Sequence, residues 1–142
     1  MATVLIAPLA AVVMLAAAWA VLALQRRSQR RLVGTAVRGT VLSGAERLDI
    51  LYFTGENCTV CHVAQRPALG RLRSLIGDVV IREIDVARDP AAARRYRVMT
   101  LPTTVVLDRG GRTVAVNAGY ASETALQEQV REARGSMAGA FA

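Results

Sequence analysis

Chemistry in this chain gathers in ten residues, Gly55 to Ala64 (GENCTVCHVA), which hold both cysteines, Cys58 and Cys61, and the only histidine, His62. Cys-x-x-Cys-His fits three chemistries: a thiol–disulfide switch, a haem attachment or part of a metal site. The first needs a nucleophile and a resolver. A cysteine in the first turn of a helix meets orphan N–H groups and the positive end of the helix dipole, which favour thiolate. Three residues on, Cys61 returns to nearly the same face and points toward the core, placed to attack a mixed disulfide held by Cys58. The ten residues do not choose among the three, so the elements around them must.

Those elements read clearly from Leu48 onward. LDILYFT is a short apolar, β-prone run ended by Gly55, as expected of a buried strand. A helix begins near Cys58. Cys61, Ala64, Ala68, Leu69, Leu72, Leu75 and Ile76 form its apolar face, Pro67 kinks it, and Gly77 ends it. Val79–Asp85 is the next strand, and Asp89-Pro90 supplies an N-cap and first-turn pair for a short helix through Tyr96. Thr103–Asp108 and RTVAVN flank an RGG turn and form an antiparallel hairpin. Ser122 caps a last helix whose Leu126, Val130 and Ala133 share one face. The alternation predicts an α/β domain over residues 48–134, a central mixed sheet flanked by helices, with a frayed tail at 135–142.

The first 47 residues are of another kind. Met1 to Leu24 carries no charged side chain, and QRRSQRR follows at once. About 20 apolar residues suffice to span a bilayer as a helix. A signal peptide would place its positive charge ahead of a shorter apolar run, so residues 1–25 read as a retained transmembrane anchor and 26–47 as a basic juxtamembrane tether, with a short strand within 32–47. Arginines after a first span favour the cytoplasmic side, which puts the domain in the cytoplasm of a bacterial cell membrane, with the extracytoplasmic face as the alternative. The net charge of +7 is lopsided: residues 1–47 hold six Arg and one Glu, a net +5. Most of the excess therefore meets lipid head groups. With aromatics at only 4%, a nucleic-acid surface is not expected.

Three segments together resemble the thioredoxin family: YFTGENCTVC as strand, loop and start of the redox helix; RVMTLPTTVVLD as the segment with the family's cis-proline at Pro102; and NAGYASETAL as the loop with Gly119 before the last helix. With the apolar leader, the chain looks like the anchored thioredoxin-like proteins of bacteria. The resemblance implies a protein-disulfide oxidoreductase with Cys58 and Cys61 catalytic, and Leu101, Pro102 and Gly119 forming the substrate-binding edge. Its partners would be a disulfide-containing protein and an upstream thiol reductant, and no cofactor is implied. The reducing direction follows from the inferred cytoplasmic face.

The departures are specific. Asn57 replaces the family's tryptophan, Tyr52 takes the place of its buried aspartate, and the lysine neighbouring that aspartate aligns with Ile81. Losing both avoids a lone buried charge but removes the usual proton acceptor for Cys61, leaving Glu56 and His62 as candidate proton relays. The competing functions are weaker. Haem attachment requires the other side of the membrane and a helical cytochrome pattern; structural zinc usually has four ligands, against three candidates here, although two thiolates can hold Cu(I). A redox-inactive membrane adaptor would leave both cysteines without a task.

Overall fold

In the computed structural model, which describes residues 2–35 and 47–135, the apolar run Leu48–Thr54 is strand β1, buried along its whole length. Its side chains alternate: Leu48, Ile50 and Tyr52 enter one core, Leu51 and Phe53 the other. A strand with two buried faces belongs at the centre of a sheet. β1 is paired in parallel with β2 (Val79–Asp85) and antiparallel with β3 (Thr103–Leu107), which pairs antiparallel with β4 (Thr113–Ala118). The order is β2-β1-β3-β4. The β3–β4 turn is tied by the Asp108 carboxylate, which accepts from the N–H groups of Gly110 and Arg112, both at 2.9 Å.

Helices cover both faces. The redox-motif helix begins at Thr59, passes through a π-helical turn at Cys61–Gln65 and continues as α2 (Arg66–Leu75). It shares a core with α4 (Glu123–Gly135), whose Leu126, Val130 and Ala133 are fully buried. The short α3 (Pro90–Arg95) covers the opposite face, where Ala92 and Tyr96 pack with Phe53; the two rings lie 5.7 Å apart. Both expected caps form: Ala92 N–H donates to Asp89 Oδ1 at 2.8 Å, and Ala125 N–H to Ser122 Oγ at 3.2 Å.

Two expectations about the redox helix need correction. Leu75 is exposed, because the helix ends there and Ile76, in extended backbone, turns to the core instead. Gln65, absent from the expected apolar face, is fully buried. The kink takes the form of the π turn just before Pro67: Arg66 N–H reaches five residues back to the Cys61 carbonyl. Proline has no N–H to continue the ladder, and a π turn is one way a helix absorbs such a break.

N-terminal to the sheet, α1 runs from Ala2 to Arg30, carrying helix through the basic run expected to begin a tether. Among the described residues no helix is long and apolar enough to cross a membrane, so the expected span over residues 1–25 is not found there. After α1, Leu32 is buried, Gly34 N–H donates to the Thr113 carbonyl at 2.7 Å, and Thr113 N–H donates to that of Thr35 at 3.0 Å. Most of the strand expected within 32–47, and the tail beyond Gly135, lie outside the described residues.

Candidate active site

β1 and the turn after it deliver the cysteines. Cys58 N–H closes the turn onto the Gly55 carbonyl at 3.1 Å, and Cys58 then caps the helix, accepting His62 N–H on its carbonyl at 3.4 Å. Cys58 thus stands one residue ahead of the first helical turn, where unsatisfied N–H groups favour an anion. One of them is aimed at it: Cys61 N–H lies 3.2 Å from Cys58 Sγ. The two cysteines form a disulfide, with Cα atoms 5.2 Å apart. Cys58 is partly exposed and Cys61 wholly buried. The pair is therefore asymmetric, with one sulfur open to an incoming partner and the other behind it.

Beneath Cys61 lies Tyr52, 1% exposed, whose hydroxyl donates to the Cys61 carbonyl at 2.8 Å. That carbonyl also accepts Arg66 N–H, so two donors hold the backbone of the second cysteine. Burial, chiefly, pushes the Tyr52 phenol above its ordinary value, and the Glu83 carboxylate adds to the shift. The hydroxyl is consequently a donor at neutral pH and takes no proton from Cys61. In the ladder Tyr52 pairs with Glu83 and Ile50 with Ile81, and Ile81 packs against the same core as Tyr52. An acidic residue thus flanks the tyrosine. It is ion-paired with Arg66 at the start of α2, which raises the Arg66 guanidinium further above its already high value.

The remaining site residues meet from distant segments. The Leu101–Pro102 peptide is cis. Gly119, at φ 92°, donates its N–H to the Pro102 carbonyl at 2.7 Å, a left-handed backbone that glycine adopts without penalty. Gly55 admits Leu101: a Cβ there would lie 3.0 Å from Leu101 Cδ1. Gln65 completes the assembly. Its amide donates to the Ala121 carbonyl at 3.2 Å and accepts Ala121 N–H at 2.8 Å, tying the redox helix to the Gly119 loop. Sequence reading missed this clamp; a lone glutamine on an apolar helix face was the only signal. In the segments that carry these residues, Val60, Val63, Met99 and Tyr120 are exposed apolar side chains.

Glu56 and His62 stay at the exposed rim, where His62 Nε2–H donates to the Glu56 carbonyl at 3.1 Å. Among the described residues no group of three or more His, Cys, Asp or Glu side chains is placed to hold a metal ion.

This arrangement occurs in known proteins. No curated protein matches the chain. Solved structures do: thioredoxin-2 of the malaria parasite, described as a component of its protein secretion machinery, is 20% identical, with a TM-score of 0.59 over 70% of this chain and 93% of its own. Fasciola hepatica thioredoxin is 30% identical (TM-score 0.54; 61% and 81% covered). Thioredoxin 1 of the thermophilic eubacterium Thermosipho africanus is 26% identical (0.52; 59% and 91%). The family described as thioredoxin-like domain matches residues 40–134, about two-thirds of the chain. Sheet order, cis-proline and a helix-capping Cys-x-x-Cys agree with that match, and the chain belongs to the thioredoxin-like family.

Proposed function

We propose that the protein is a membrane-anchored thiol–disulfide oxidoreductase that reduces protein disulfides through a mixed disulfide on Cys58. The observation that carries the reading is the asymmetry of the pair, an accessible sulfur at a helix N-terminus backed by a buried one. In the reduced protein, Cys58 thiolate attacks one sulfur of the substrate disulfide, whose other sulfur leaves as thiolate. Cys61, deprotonated, then attacks Cys58 Sγ and expels the second substrate thiolate. The substrate gains two electrons, the protein keeps the disulfide, and an upstream thiol reductant restores the dithiol. An extended substrate segment would pair with the Leu101 backbone beside cis-Pro102 by strand addition, with Gly119 shaping the neighbouring edge.

Anchoring is supported by the uncharged run from Met1 to Leu24, about the number of residues that a bilayer-spanning helix needs. Arginines after the run support a cytoplasmic domain, where thiols are kept reduced and a reductase has its supply. For the proton on Cys61, His62 or Glu56 acts as relay: with Nε2–H committed to the Glu56 carbonyl, the neutral ring keeps Nδ1 as an acceptor. His62→Ala or Glu56→Ala then alters the pH profile of thiol exchange, and an unchanged profile removes both from the mechanism.

The test of direction is the reduction potential of Cys58–Cys61, equilibrated in glutathione buffers and read by alkylation and mass. A value near −270 mV, about that of thioredoxin, supports the reductase; one above about −180 mV would instead make it an oxidase or isomerase.

A further inference from the structure

The leader is joined to the pole of the domain that lies farthest from the cysteines. β1 enters at Leu48 and runs toward Cys58, and β4 runs parallel to it because each is antiparallel to β3. Asp49, Leu107 and Thr113 form one rung across the sheet; Phe53, Thr103 and Ala118 form another. Cys58 and cis-Pro102 stand beyond the second rung. The leader docks on the first, through the two backbone hydrogen bonds between Gly34-Thr35 and Thr113 and through buried Leu32. Thr35 Oγ1 adds a bond to the Leu32 carbonyl at 2.7 Å, closing the turn. Between the end of α1 at Arg30 and this dock there are only residues 31–33.

We infer that the redox face is held away from the bilayer, so that its substrates are disulfides carried on soluble domains or on long extramembrane segments, not disulfides at the head-group plane. The inference rests on the anchor reading above. Four residues of strand, about 13 Å, separate the two rungs, and the site lies farther still. The leash is too short to invert the domain: α1 reaches the dock with its basic run, Arg26 to Arg31, at the lipid surface. The exposed Val60, within the motif, and Tyr120, next to Gly119, are then turned to the aqueous phase, ready for an extended apolar segment of a protein partner.

The experiment uses the full chain in vesicles of neutral and anionic phospholipid, reduced beforehand and freed of reductant. Single-turnover oxidation is followed against three fluorogenic disulfides: a soluble peptide, a lipid with the disulfide directly on its head group, and a lipid with the same disulfide on a long polyethylene glycol spacer. The soluble and spaced probes should react alike and the direct probe about tenfold or more slower, as expected when a tether cannot span two sites. Inserting about 20 Gly/Ser residues between Arg31 and Leu32, with a mean span near 25 Å, should bring the direct probe up to the rate of the spaced one. Equal rates for the two lipid probes in the unmodified chain, with the protein resisting carbonate extraction, overturn the inference alone. Release by carbonate overturns the anchor reading and the inference with it.

Discussion

At the scale of single residues the two cysteines are unequal because of what surrounds each sulfur. Cys58 is reachable and faces an N–H donor, whereas Cys61 is buried with its backbone pinned. Cys61→Ser should therefore trap a covalent adduct with a disulfide substrate, seen as added mass under non-reducing conditions, while Cys58→Ser should trap none. Tyr52→Phe removes a buried hydroxyl and leaves the Cys61 carbonyl with Arg66 N–H as a donor, so a loss of about 1 kcal/mol in urea unfolding is expected. Because the phenol stays protonated, the pH profile of thiol exchange below pH 9 should not move. A profile that did move would give Tyr52 a part in proton transfer.

Elements decide whether those residues meet. The redox helix and the Gly119 loop are 56 residues apart in the chain and are joined by the two-way bond between Gln65 and Ala121. Gln65→Leu keeps the volume and strands a buried N–H and a buried carbonyl, which should lower stability by about 2–4 kcal/mol in denaturant titration. Gly119→Ala should cost about 1–2 kcal/mol, since a Cβ at φ 92° is strained whatever the space around it. Strand and helix positions were legible beforehand, because period, caps and breakers are local properties: Asp89-Pro90, Ser122 and Gly77 punctuate where expected. The buried role of Gln65 and the Tyr52–Glu83 register were not, because partner choice across a ladder depends on how two strands slide past each other.

For the whole molecule, the sheet's far pole is tied together at Asp78. Its carboxylate meets Arg134 near the end of α4 and, at 3.6 Å, Arg109 in the β3–β4 turn. Hydrogen bonding to Arg134, first, and the charge of Arg109 hold it below its usual range. A depressed carboxylate contributes stability that is present above its unfolded value of about 3.9 and disappears as pH falls through the folded one. Asp78→Asn should thus lower stability at neutral pH by no more than about 1 kcal/mol, the pair being partly exposed. The gap to the parent should close as pH falls through the lowered value of the folded carboxylate; a gap that persisted into strong acid would mean that packing, not charge, sets the effect.

By itself the sequence determined the strands, most helix boundaries, the Cys-x-x-Cys spacing and the uncharged leader, because each is written in neighbouring residues, while the cis-proline position came from the resemblance to the thioredoxin family. Only the tertiary structure decided that Tyr52 grips Cys61, that Glu83 pairs with Tyr52, that Gln65 clamps Ala121, and that the leader joins the pole opposite the cysteines. Those are contacts between segments far apart in the chain. Strand register and helix docking select them, and no local pattern records which of many compatible partners a buried donor will meet.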